Sequence, residues 1–129
     1  MSQITKNNSP VEKVLNKIIH IAEEKKSENI RFFSVSEEMW MTDYILILDI
    51  KNRIHAKALC EDIEKQLSEF VPTLNSNDFY EDIHFTGDKN SEWVVLDLNS
   101  IIVHCISEEM NEFYKLDSLF SKYGPVFHA

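Results

Sequence analysis

The chain has 129 residues, and 13 basic against 22 acidic side chains leave a net charge of −9. That length suits one domain, and 43% hydrophobic with 27% charged residues is a globular rather than a disordered composition. An acidic surface is repelled by phosphate, and no lysine/arginine cluster is present to release counterions. Direct nucleic-acid binding is therefore disfavoured, and a basic protein or a small molecule fits better as partner.

Residues 1–8 read as a disordered polar tail. Ser9-Pro10-Val11-Glu12 predicts a helix start, with Ser9 as cap, Pro10 in the first turn and Glu12 completing a capping box. Val11, Val14 or Leu15, Ile18 and Ala22 recur at helical spacing, which predicts an amphipathic helix over 10–26. Lys25 and Lys26 close it, where cations complement the helix dipole. Ile30 to Val35 is rich in aromatic and β-branched residues and predicts a strand. Tyr44-Ile45-Leu46-Ile47-Leu48-Asp49-Ile50 is nearly continuous in apolar residues, as a strand buried on both faces requires.

Asn52 caps a second helix over 53–70, with an expected stripe of Ile54, Ala58, Leu59, Ile63, Leu67 and Phe70. Residues 71–78 hold Pro72, Asn75, Ser76 and Asn77 and read as a loop. Ile83-His84-Phe85 reads as a short strand ended by Gly87. Strands over 92–98 and 101–106 follow, joined at Asn99-Ser100, where Asn tolerates positive φ. A helix over 108–115 precedes a C-terminal tail over 123–129. The order αββαβββα predicts one α+β domain over 9–122, a five-stranded mixed sheet flanked by helices.

No apolar run approaches the ~20 residues of a membrane span. Residues 1–10 lack an apolar or Arg-rich targeting pattern, so a cytoplasmic location is expected. Cys60 and Cys105 read as two buried thiols rather than a disulfide. The five histidines show no zinc-ligand spacing, and carboxylates at Asp43, Asp49 and Asp97 make a weak metal set. Gly87 and Gly124 are the only glycines, so no Gly-rich phosphate loop exists. No cofactor and no metal are expected.

The hairpin is the most informative segment. Alternation puts Val94, Leu96, Leu98, Ile101, Val103 and Cys105 on one wholly apolar face, which must be core. The other face sets Trp93, Val95 and Asp97 opposite Ile106, His104 and Ile102. His104 lies diagonal to both Asp97 and Trp93, within reach of either. Three readings fit that face: a second core layer with His104 bonded to Asp97, a protein-binding face anchored by Trp93, or an acid/base pair.

Glu92-Trp93-Val94-Val95-Leu96-Asp97-Leu98-Asn99-Ser100-Ile101-Ile102-Val103-His104 resembles the acidic-Trp-aliphatic-Asp-x-Gly-x-aliphatic-His stretch of the ribosomal silencing factor (Iojap) family. Thr42-Asp43-Tyr44-Ile45-Leu46-Ile47 resembles its Ala-Asp-Tyr-Phe-Val-Ile strand, and Ala58-Leu59-Cys60-Glu61 falls where the family has its Ile-Ala-Asp helix. Gly87 falls six residues before Trp93, at the family's Glu-Gly. Glu112 to Phe120 is similar to the family's closing Tyr-x-Leu-acid-x-Leu-Trp segment. The likeness covers about 10–122. Ile50, Ile54, Asn99, Asn111, Glu112 and Phe120 depart from the family's residues, and the 71–81 region is longer than usual.

The resemblance implies a translation repressor. It would bind the large ribosomal subunit through its basic ribosomal protein fourteen and sterically block small-subunit joining during starvation, with no enzymatic step. It also implies a nucleotidyltransferase-like fold without the Gly-Ser and paired-Asp elements of active members. On this reading Trp93 is the apolar anchor, Asp97 meets a basic group, and His104 fixes or supplements Asp97. Val95 and Ile106 flank the contact, and Tyr114 borders it on the resemblance alone. The alternatives are a small-molecule enzyme on that scaffold, with a pocket near Asp43, Asp49 and Asp97, and a homodimerising adaptor. Whether the free protein is a homodimer stays open.

Overall fold

The structure, a computed structural model, describes residues 9–35, 42–86 and 91–129. The expectations for the 1–8 tail and for Gly87 lie outside the described residues. Helix α1 spans Pro10–Glu24, and Ser9 Oγ accepts from the Glu12 amide and donates to the Glu12 carboxylate at 3.0 Å, so the start is as expected. Its end comes earlier than expected. Lys25 and Lys26 lie beyond the last turn, and Lys26 takes φ 60° to reverse the chain into β1, Glu28–Ser34.

Strand β2, Tyr44–Ile50, pairs antiparallel with β1 and parallel with β5, Ile101–Ser107. Between them in sequence runs α2, Arg53–Phe70, with Asn52 Oδ1 accepting from the His55 amide at 2.8 Å. The buried stripe of α2 is Ala56, Leu59, Cys60, Ile63 and Leu67. Ile54 is instead 81% exposed and Ala58 faces solvent, so the expected stripe was rotated at its N-terminal end. Ile54 sits in the first turn, where an apolar residue need not face the sheet.

A 3-10 turn over Val71–Leu74 opens the expected loop. Strand β3 runs over Phe79–Thr86, longer than the three residues expected, and pairs with β4, Trp93–Asn99. The β4–β5 hairpin has the expected register, with Val94 opposite Cys105, Leu96 opposite Val103 and Val95 opposite His104. Asn99 turns the chain at φ 86°.

Ser107 caps α3, Glu108–Tyr114, through the Met110 amide. Lys115 at φ 55° then redirects the chain into α4, Leu116–Phe120. The sheet has six strands, not five, in the order β3-β4-β5-β2-β1-β6. The sixth, β6 (Val126–His128), lies in the segment read as a tail and pairs antiparallel with β1. Three residues carry too little pattern to read as a strand, and it is the pairing with β1 that makes them one. Leading into β6, Gly124 passes so close to β1 that an added Cβ would fall 1.8 Å from the Ser34 carbonyl oxygen.

Two cores result. Strand residues Phe32, Leu46, Leu48, Val94, Leu96, Val103 and Cys105 pack under α1 and α2. On the opposite face Phe33, Ile45, Ile47 and Ile106 pack under Leu116 and Phe120 of α4. β2 therefore feeds alternate residues to both cores, as its continuous apolar run predicts. The accessible surface is 7510 Å², close to the ~7,100 Å² that this mass implies for a compact chain. Among the described residues no helix is long and apolar enough to cross a membrane.

Candidate functional site

The thinner face carries the candidate site. Hairpin alternation points Trp93, Val95 and Asp97 of β4 and Ile102, His104 and Ile106 of β5 to this side. Helices α3 and α4 cover only part of it, and at the border of α3 the half-buried Trp93 of β4 meets aromatic side chains of the helix. Trp93 is half-buried with its ring 4.9 Å from that of Tyr114, which in turn meets Phe113 edge-on at 4.9 Å. Tyr114 is 50% exposed and Phe113 76%. Such rings expose apolar area with little rotamer entropy left to lose, which suits a contact surface.

The orientation of Trp93 is fixed from below. Its indole Nε1–H donates to His104 Nδ1 at 3.1 Å. An indole can only donate, so His104 must accept, and its proton sits on Nε2. His104 is buried, with the Phe120 ring 5.3 Å away. Burial disfavours the imidazolium and lowers its pKa to about 4. His104 is thus a neutral strut at neutral pH.

This corrects the expected pairing of His104 with Asp97. The Asp97 carboxylate accepts instead from the Asn99 amide at 2.9 Å, holding the hairpin turn. That turn is further tied by Asn99 Nδ2 and Ser100 Oγ, both donating to the Asp78 carbonyl. Ile106 is also placed differently from a flanking contact. It is fully buried and belongs to the core beneath the site. Trp93, Val95, Asp97 and Tyr114 keep accessible surface, whereas His104 and Ile106 act from below. With its imidazole bound to tryptophan rather than to a carboxylate, the acid/base reading of this face has no geometric support.

Phe113 escaped the sequence reading. Its signal was an aromatic in a seven-residue helix whose buried side chains are too few to include it. Exposed acidic residues neighbour these rings in sequence: Glu92 precedes Trp93, and Glu108, Glu109 and Glu112 share α3 with Phe113 and Tyr114.

A buried ion-pair network holds the α3–α4 corner that carries Tyr114. Arg31 on β1 is 1% exposed. Its Nη2 donates to Asp117 at 2.8 Å, its Nε to the other oxygen of Asp117, and its Nη1 to Asp49 at 3.0 Å and to the Asn29 carbonyl. Asn111 of α3 donates to Asp117 as well. The Asp117 carboxyl is held below the usual range by its bonds to Arg31, whereas burial pushes Asp49 up despite the same partner.

The three carboxylates once considered together do not meet. Asp49 is engaged with Arg31, Asp97 with Asn99, and Asp43 lies beyond the opposite end of β2. Among the described residues no group of three potential ligands is arranged to hold a metal ion. Cys60 and Cys105 are both buried and not disulfide-bonded, as expected.

A family model described as ribosomal silencing factor during starvation matches residues 8–127. Among solved structures, a protein from Chromobacterium violaceum superposes with TM-score 0.74 at 19% identity, covering 86% of each chain. One from Bacillus halodurans superposes with TM-score 0.71 at 18% identity, covering 92% of this chain and 99% of the other. At those identities the likeness establishes the fold.

Proposed function

The chain belongs to the ribosomal silencing factor family, and we propose that it docks on the large ribosomal subunit through that subunit's basic ribosomal protein fourteen. Its bulk then blocks small-subunit joining in the cytoplasm when nutrients are scarce. The family is regulatory and ribosome-associated, and steric exclusion needs no chemical step. The same reading makes the scaffold nucleotidyltransferase-like without active-site acids.

The observation that carries the reading is the aromatic ledge of Trp93, Tyr114 and Phe113 on the thin face. Hot spots concentrate in such anchors when they are rigid and ringed by polar groups. The His104 acceptor supplies rigidity here, and Asp97, Glu92 and the α3 acids supply a negative surround. A net charge of −9 steers the protein toward basic protein rather than toward ribosomal RNA.

The test is co-sedimentation with purified large subunits. Trp93→Ala should weaken binding by ~2 kcal/mol or more, roughly thirtyfold. Unchanged pelleting by a variant that circular dichroism shows to be folded overturns the assignment of Trp93 as anchor.

A further inference from the structure

The opposite side of the sheet carries a second feature that the ledge does not explain. A cleft of about 760 Å³ opens between the C-terminal half of α2, the turn after it and β3. Its core-facing floor includes the apolar Leu67, Phe79 and Ile83, and the acidic residues Glu64, Glu81 and Asp82 are among its lining. No lysine, arginine or histidine is among its lining residues. Among the described residues β3 is an edge strand, with no further strand beside it. The volume lies within the range of small-ligand pockets, and it admits a few side chains rather than a folded surface.

We propose that this cleft is a docking site for an unstructured basic peptide segment of a protein partner, one that sets lysine or arginine beside aliphatic side chains. The aliphatic groups rest on the floor, and the cations meet Glu81 and Asp82. Charge complementarity selects this occupant. A second copy of the chain brings −9 to an acidic cleft, and nucleic acid brings phosphates, so both are repelled. A free polyamine matches the charge but leaves the apolar floor unfilled.

The test is fluorescence anisotropy of the full chain with a labelled six-residue peptide alternating lysine and leucine, in 150 mM salt. The partner peptides alternate lysine with serine, or glutamate with leucine. Saturable binding of the lysine–leucine peptide is expected, with at least tenfold weaker binding of both others. Glu81→Lys with Asp82→Lys should weaken binding at least tenfold. Glu23→Lys with Glu24→Lys, an equal charge change at exposed α1 positions, should change it less than twofold. Amide shifts on titration should centre on Phe79 to Ile83. Equal losses from the two double variants would reduce the effect to net charge and overturn the proposal. Equal affinity of the lysine–serine peptide, or full displacement by equimolar spermine, would replace the peptide by a simple polycation. No binding at millimolar peptide, or shifts centred elsewhere, would also overturn it.

Discussion

One face of the sheet lies under helices of 15 and 18 residues and closes almost wholly with aliphatic and aromatic side chains. The other lies under helices of 7 and 5 residues and closes with an arginine, two aspartates and an imidazole among its aliphatics. Two short helices cannot bury enough apolar area to seal six strands. The thin face compensates with hydrogen bonds of fixed geometry, which cost more to break than they add in net stability. The same thin cover leaves the rings of Phe113 and Tyr114 exposed, so the less well-sealed side is the one that carries the candidate site.

The largest effect that tests this contrast lies on the thick side. Leu46→Ala removes a fully buried side chain from that core and should cost about 3–5 kcal/mol in urea unfolding. A loss near ~1 kcal/mol would mean that α1 and α2 cover the sheet loosely. On the thin side, Arg31→Met strands the Asp49 and Asp117 carboxylates and should cost about 3 kcal/mol. Adding Asp49→Asn and Asp117→Asn should recover most of that loss, because the cost lies in the unpaired charges. Failure to recover would assign the effect to packing of the guanidinium instead.

A pH titration separates the faces next. The folded His104 titrates at about 4, below its ordinary 6.5. Between those values the unfolded chain binds more protons, so stability falls as the solution is acidified. The contribution is complete above pH 6.5 and lost toward pH 4, at most about 3 kcal/mol. His104→Phe should flatten that part of the curve, and an unchanged slope would place the titrating group elsewhere. The smallest stability effect belongs to the ledge. Phe113→Ala should change unfolding by less than ~0.5 kcal/mol while weakening large-subunit binding severalfold. The opposite outcome would make Phe113 a packing residue.

The parts legible in the sequence were those fixed by local rules. Asn99 announced a turn, and the alternation around it fixed the register of β4 and β5. Ser9 and Asn52 announced helix starts through side chains that reach only three residues along. The misses came from contacts across long stretches of chain. β6 is a strand only because β1 lies beside it. α4 follows a left-handed Lys115, a conformation that the residue type does not advertise. His104 could reach Asp97 or Trp93 by spacing alone; in the fold its Nδ1 accepts from Trp93, and Asp97 accepts from the Asn99 amide. Of the candidate site, Trp93 was legible from strand alternation and Tyr114 only through the family resemblance, while burial of Ile106 and exposure of Phe113 depend on where α3 and α4 settle.

Gly124 has a hereditary side. The obstacle there is the carbonyl oxygen of Ser34, a backbone atom that no rotamer change can move aside. Every single-base missense change of a glycine codon introduces a Cβ, whichever of the four codons is used. Drift at this codon has no gentle step available: each amino-acid change would push the chain off β1 and undo the seating of β6.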